Sequence, residues 1–393
     1  MSTVDYDEFD DYDDVAGKLE EGRPRRKRKK GLSSNAKWGI ALVIELILIM
    51  LLGYGLFRTF LHQKYMKFEH VKDMKKEELD INEGVNPDMT GFTNIALFGI
   101  DARDDYLGKG SRSDAIMVAC INNETKEVRI LSVYRDTILE VEKNDGSTVT
   151  TKINAAYAYG GPELAVQTLN KNLDLSISEY ITVNWEGLTR VIDALGGVEV
   201  HIEENELSTL NGVLAEQIQV NGINSDGVYD TGYVILNGAQ ATAYARIRST
   251  DQGDITRTER QREVIQAMLA KAKQSDIKTL NKVIDEVFPY IGTSITEKQA
   301  LDLVTGIMSY ELKGSCGFPI RYNFYSTEAK GSCIAAVDLN DNVKTMQKFL
   351  FGTDNYVPTT TVQNISAQLT AETGYTSEGV IPVPSDDPNK SED

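Results

Sequence analysis

The sequence predicts an α/β or α+β domain built on a layered sheet, held behind a single membrane-spanning helix. Three observations carry this. Short apolar runs of strand length alternate with helical patterns from Phe92 onward, which is how helices packed on a sheet are written. Residues 38–57, WGIALVIELILIMLLGYGLF, form a nearly unbroken apolar run of twenty, long enough to cross a bilayer as a helix. The two ends of the chain are too polar to bury a core.

Taken in order, residues 1–37 read as a disordered cytoplasmic tail, acidic and then basic. DYDEFDDYDD places seven acids in ten residues, and RPRRKRKK (residues 23–30) follows just before the apolar run. Short basic flanks stay on the cytoplasmic side, so everything past the helix at 38–60 is expected outside the cell membrane. The run is too long for the core of a cleaved signal peptide, and no small-x-small cleavage pattern follows it. Glu45 is the one charge inside the run and reads as a tolerated polar residue. The basic octet beside the membrane is explained by topology and anionic lipid, not by nucleic acid. Residues 61–91 read as a stalk, 92–355 as the extracytoplasmic domain, and 356–393, rich in Thr, Ser, Pro and acids, as a disordered tail.

Within the domain, residues 94–101, 114–122 and 128–141 are strand-like, the last divisible at Tyr134–Asp136. Residues 153–173 carry Gly-Gly-Pro and then a helical pattern with Pro162 at its first turn. A strand-like run at 177–187 is followed by a helix, Leu188–Leu195, stopped by Gly196–Gly197. Residues 198–202 form a short strand and 203–236 read as irregular. Asn237 is placed to cap an Ala-rich helix. A second helix restarts at Asp254, with Asp254 or Thr256 as its cap. Further helical patterns fall near 276–288, 297–310 and 341–351.

One stretch breaks the charge pattern of the chain. The formal net charge is -18, yet Tyr244–Arg262 carries Arg246, Arg248, Arg257, Arg260 and Arg262 and no lysine. Arginine grips carboxylate or phosphate with a flat fork of donors, which lysine cannot do. Two readings stand open on residue type alone, a salt-bridged helix face and an anion site. Arg257, Arg260 and Gln261 lie three and four apart and share a face, with Arg262 off it.

Candidate partners sit at strand ends. Asp101-Ala102-Arg103 closes one strand, Arg112-Ser113-Asp114 opens the next, and Tyr134-Arg135-Asp136 closes a third. If the first two strands are neighbours, Asp101 and Asp114 approach each other. Two carboxylates there are the hard oxygen ligands that Mg²⁺ takes beside substrate phosphates. Convergence of Asp101, Asp114, Arg135 and the arginine cluster on one polyanion is the arrangement phosphoryl transfer needs, where positioning and charge stabilisation do most of the work. The chain has no P-loop pattern and no G-x-S-x-G elbow, which argues against a standard nucleotide hydrolase and an α/β-hydrolase. Three cysteines in 393 residues make no disulfide scaffold, although an oxidising compartment would permit a Cys316–Cys333 bond. The three histidines lie away from the cysteines and suggest no zinc site.

The segments FGIDAR (98–103), SRSDAIMV (111–118), SVYRDT (132–137), KINAAYAYGG (152–161), VIDALGGVEV (191–200) and LNGAQATAYARIRSTDQGDITRTERQREVI (236–265) together resemble the LytR-CpsA-Psr family, in family order across a motif core of 92–270. The resemblance implies an α/β/α domain with a central mixed sheet and an apolar pocket for a polyprenyl chain. It implies a Mg²⁺-dependent phosphotransferase (Mn²⁺ being an alternative ion) moving a glycopolymer, teichoic acid or capsule-type, from a polyprenyl pyrophosphate carrier to the 6-hydroxyl of peptidoglycan muramic acid. Carried over by position, Asp101 and Asp114 match metal-binding acids. Arg135, Arg246, Arg248 and Arg257 match pyrophosphate-binding arginines, with Gln261 nearby and Arg103 and Arg260 in motif positions. Asp254 is a candidate to orient or deprotonate the acceptor. Tyr134 stands where the family pattern has proline. A lipid-pyrophosphate phosphatase and a non-catalytic membrane-anchored regulator are the rival functions.

Overall fold

The computed structural model describes residues 78–101, 107–143, 145–222, 224–248, 253–287, 290–375 and 381–382, with Thr59, Glu69, His70 and Met74. The expected membrane helix apart from Thr59, the tail before it, residues 61–68, 71–73 and 75–77 of the stalk, and Arg103 lie outside these residues. No described helix is long and apolar enough to cross a membrane.

In chain order the elements are β1 (Glu69–His70), β2 (Phe92–Ile100), β3 (Ser113–Asn122), β4 (Glu127–Val133), β5 (Ile138–Glu142), β6 (Thr148–Lys152), α1 (Asn154–Leu173), β7 (Glu179–Asn184), α2 (Trp185–Leu195), β8 (Val198–Ile202), α3 (Glu204–Asn221), β9 (Gly232–Leu236), α4 (Gly238–Tyr244), α5 (Asp254–Gln274), α6 (Ile277–Val287), β10 (Ile291–Thr293), α7 (Glu297–Gly306), β11 (Glu311–Phe318), β12 (Arg321–Thr327), β13 (Gly331–Ala336), α8 (Leu339–Phe351), α9 (Thr360–Thr373) and β14 (Ile381–Pro382). The main sheet has seven strands in the order β1-β10-β7-β2-β3-β4-β11. Its pairs are mixed: β2–β3 and β3–β4 are antiparallel, β2–β7 and β4–β11 parallel. This is the mixed α/β architecture expected, with the predicted first two strands as direct neighbours.

Side-chain alternation assigns the faces. Ala96, Phe98 and Ile100 of β2 face a core shared with α1, α8 and α9, where Phe98 meets Tyr157 edge-on at 5.3 Å. Ile95 and Leu97 face the other side, toward Ile265 of α5 and Leu303 of α7. A further core joins α2, β8, α3, β9 and α4 to α5.

Local signals account for several boundaries. Asn237 accepts from the Gln240 N–H at 2.9 Å and starts α4 as expected. Asn184 accepts from the Gly187 N–H at 2.8 Å and starts α2 three residues earlier than its apolar pattern predicts. Gly196, at φ 81°, ends it. In α1, Gly161 at φ 73° breaks the helix and Pro162 restarts it.

Three expectations are corrected. The stretch 203–236 contains α3 and β9; Glu206 accepts from the Glu203 N–H at 2.9 Å and so nucleates a helix that lacks a clear apolar stripe. The tail beyond 356 is not structureless: α9 buries Val362, Ile365 and Leu369 against the main core, and Thr359 caps it. Its polar, Thr-rich composition conceals three apolar residues at helical spacing. The approach to α9 is fixed by buried Asp174, which accepts from the Tyr356 hydroxyl at 3.0 Å and the Thr359 N–H at 2.7 Å. Neither Asp254 nor Thr256 caps α5; the cap position is Gly253. The three cysteines are free thiols.

If α9 is part of the domain, Leu369→Ala lowers stability by about 2–5 kcal/mol, as for other buried leucines. Chemical denaturation checks this; a loss under about 0.5 kcal/mol would mean that α9 is not docked in solution.

Candidate functional site

Three strands make the floor of an apolar cavity of about 210 Å³. Leu97 and Gly99 of β2 pair in register with Met117 and Ala115 of β3, and with Ile181 and Val183 of β7, so all six sit on one face of the sheet. Leu188 and Val191 of α2, and Val264, Ile265 and Met268 of α5, form the roof. Gly99 and Ala115 keep one end low, since a side chain at Gly99 would meet the Ala115 Cβ at 3.0 Å. Asn184 and Gln261 are the polar residues in this lining, and Asn184 is already engaged in capping α2. Gln261 is 5% exposed, and neither of its amide atoms has a hydrogen-bond partner among the described residues. An unpaired buried amide costs free energy and marks where a polar ligand group would be satisfied.

The low end of the cavity leads directly to charge. Asp114 precedes Ala115 at a register shift in the β2–β3 pairing, and Asp101 follows Ile100, whose partner is Ser113. Asp114 accepts from Arg135 Nη1 at 2.6 Å and faces Arg248 Nη2 at 3.5 Å, while its main-chain carbonyl accepts from Arg257 Nη2 at 3.4 Å. Asp254 Oδ1 pairs with Arg135 Nε at 3.2 Å and Arg257 Nη2 at 2.7 Å. Three guanidiniums thus interleave with two carboxylates. The structure brings Asp114, Arg135, Arg248, Asp254 and Arg257 together. Asp101 is exposed, one residue past the end of β2. Arg246 lies with its guanidinium 5.8 Å from the Trp185 ring, and Trp185 also lines the cavity.

Arg260 is the correction. One turn along α5 from Arg257, it is turned away into a buried pair with Glu206 of α3 at 2.7 Å and sits 5.8 Å from the Tyr244 ring. It braces α3 on α5 and does not join the cluster. Arg262 is buried too, 3.9 Å from Glu259. What sequence reasoning missed is Lys152, which holds Asp136 at 3.0 Å, while Asp136 also stands 3.6 Å from Arg135 Nε. A lone lysine on a strand gave no signal.

Burial sets the electrostatics. Arg257 is 1% exposed; burial pulls its pKa down to about 10, against the pull of Asp254. Burial raises the Asp254 carboxyl above its ordinary value, although Arg257 and Arg135 draw it down. At Arg135 burial works to lower the pKa, but Asp254, Asp114 and Asp136 together outweigh it and the guanidinium ends above its usual value. Asp254 Oδ2 is buried and has no hydrogen-bond partner among the described residues. The cluster therefore sets buried, paired guanidiniums beside an apolar cavity, with an orphan amide and an orphan carboxylate oxygen.

A model of the LytR_cpsA_psr family matches residues 56–317, two thirds of the chain and past both ends of the motif core. The chain belongs to that family. Among its relatives, the polyisoprenyl-teichoic acid–peptidoglycan teichoic acid transferase TagU of Bacillus mycoides is 32% identical over 266 residues, covering 66% of this chain and 80% of the relative. The TagU of Enterococcus faecalis is 31% identical over 268 residues, covering 68% and 77%. Among solved structures, protein gbs0355 of Streptococcus agalactiae shares the fold with a TM-score of 0.58 at 24% identity, covering 74% of this chain and 95% of that one. TagT bound to LI-WTA shares it with a TM-score of 0.53 at 22% identity, covering 77% and 100%.

Buried Arg260 and exposed Arg248 are expected to separate by phenotype. Arg260→Ala strands Glu206 and costs about 3–5 kcal/mol of stability. Arg248→Ala, whose side chain is 54% exposed, leaves the melting temperature unchanged and weakens binding of a pyrophosphate ligand. Thermal melts beside ligand titrations check this; a stable, binding-deficient Arg260→Ala would return that residue to the site.

Proposed function

We propose that this family member is a phosphotransferase that ligates a polyprenyl-pyrophosphate-linked glycopolymer to peptidoglycan. The observation that carries the reading is the junction of the apolar cavity with the arginine cluster: an amphiphile with a long apolar chain and a pyrophosphate head fits both at once. The relatives named as teichoic acid transferases support the same reaction class. The reading also places the protein in the cell membrane, the apolar run at 38–57 being its anchor and the domain facing the wall.

In this mechanism the polyprenyl chain lies between the β2–β3–β7 floor and the roof helices. Arg135, Arg248 and Arg257 hold the pyrophosphate oxygens, displacing part of their pairing with Asp114 and Asp254, and Arg246 closes over them from Trp185. Gln261 donates at the boundary between chain and head. The muramic acid 6-hydroxyl oxygen forms a bond to the phosphorus that carries the glycopolymer. The bridging P–O bond breaks and polyprenyl phosphate leaves. Asp254, held through Oδ1 by two arginines, takes the hydroxyl proton on Oδ2. The arginines carry the charge that develops on the leaving phosphate.

Mg²⁺ fits the same place. Asp101 follows Ile100 at the end of β2 and Asp114 follows its partner Ser113 in β3, and Mg²⁺ usually takes one or two carboxylates with the substrate phosphates completing its shell. The described residues hold no group of three His, Cys, Asp or Glu side chains suited to a metal, so such an ion would depend on substrate oxygens. It would supply neutralisation of pyrophosphate charge.

Transfer from a lipid-linked glycopolymer to peptidoglycan fragments tests the reading. Arg257→Ala is expected to reduce transfer at least about 100-fold, the scale for losing one preorganised charge donor. Wild-type rates in that variant would sink the assignment, and release of free glycopolymer phosphate with acceptor present would favour a phosphatase. The acid limb of the pH profile tests Asp254. A base must be deprotonated, and its raised pKa means that transfer falls with decreasing pH above the value near 4 of an ordinary aspartate. A profile flat down to about pH 4 would exclude Asp254 as the base.

A further inference from the structure

Tyr134 immediately precedes Arg135, and its backbone is tied down on both sides. Its N–H donates to the Phe318 carbonyl at 2.9 Å, and its own carbonyl accepts from the Thr137 N–H at 2.9 Å. The ring is fully buried in a small core of its own, with Ile255, Tyr322 and Ile334. These residues come from separate elements: Ile255 from the first turn of α5, Tyr322 from β12 and Ile334 from β13. The Tyr322 ring meets it edge-on at 5.9 Å. Ile334 is also bound to the arginine turn itself, since its N–H donates to the Asp136 carbonyl at 2.9 Å.

This small core lies between the two segments that supply the charges. Arg135 adjoins Tyr134 in sequence, and Ile255 adjoins Asp254 and stands two residues before Arg257. On the far side, the ring is admitted only because residue 317 of β11 is glycine. A Cβ at Gly317 would overlap the Tyr134 hydroxyl oxygen and stand 2.6 Å from its Cζ. The hydroxyl is buried with no hydrogen-bond partner among the described residues. The ring therefore acts by shape and not by hydrogen bonding. A proline at 134, as in the family pattern, would have no N–H to give Phe318 and no aromatic ring to reach Ile255.

We propose that Tyr134 is a positioning residue: seated on Gly317 and packed against Ile255, it fixes the spacing between Arg135 and the Asp254–Arg257 turn, so that both arginines reach one pyrophosphate. The proposal rests on the reading of the site as a lipid-pyrophosphate site. Sequence alone marks only the departure from proline; the function of the ring depends on Gly317, which lies far along the chain.

The test measures, on the full-length protein in detergent, affinity for geranylgeranyl pyrophosphate, transfer rate per folded molecule and melting temperature. Tyr134→Phe should stay within about twofold of wild type, because no hydrogen bond is lost. Tyr134→Ala should weaken affinity and turnover together by about 10- to 100-fold, the scale for a displaced binding group. Gly317→Ala should act alike by expelling the ring. The double variant Tyr134→Ala with Gly317→Ala should be no worse than Tyr134→Ala alone, since the clash needs the ring. Fully additive losses, or lowered melting temperatures with unchanged affinity and turnover, would overturn the proposal. An impaired Arg135→Ala beside a fully active Tyr134→Ala would overturn it while leaving the site reading intact; an unimpaired Arg135→Ala would remove both.

Discussion

The structure depends on how one buried cation is held. Arg257 is almost wholly out of water, where an isolated charge is costly. It is kept there by Asp254 one turn back on its own helix and by the main-chain carbonyl of Asp114 at the start of β3. Both acids then reach Arg135 at the end of β4. Three elements distant in sequence are thereby locked around alternating charges. Burial weakens solvent screening of these charges. An anion bound there would be held far more strongly than at an exposed lysine patch.

The second constraint is the sheet face beside this network. Because side chains alternate along a strand, the residues that follow Asp114 and precede Asp101 present Ala115 and Gly99 to the same side as Met117 and Leu97. Charge at the strand ends and apolar surface along the strands are thus consequences of one register. A slip of one residue would turn the cavity floor over to the opposite core. The ligand chemistry, an apolar chain ending in a polyanion, follows from that geometry.

Much of this was legible in the sequence where the signal is local. The strand-end positions of Asp114 and Arg135, the Asn237 cap and the arginines of α5 could be read from apolar runs and capping residues. Arg260 could not be told from Arg257 by spacing, because positions three apart share a helix face. What separates them is Glu206, which lies on α3, a helix hidden in a stretch rich in Asn and Gly. Likewise α9 was masked by threonines, although its three buried apolar residues carry the packing. Asp254 looked like a cap because acids favour helix starts; its carboxylate is turned instead to Arg135 and Arg257. In each case a partner distant in sequence decided the outcome.

The cavity and the arginine cluster are expected to form one binding site. A crystal structure of the protein with geranylgeranyl pyrophosphate tests this most directly. The chain is expected to lie between Leu97, Met117 and Met268, with pyrophosphate oxygens within hydrogen-bond distance of Arg135 and Arg257. A lipid seated elsewhere, with the Asp114–Arg135–Asp254–Arg257 pairing undisturbed, would contradict it.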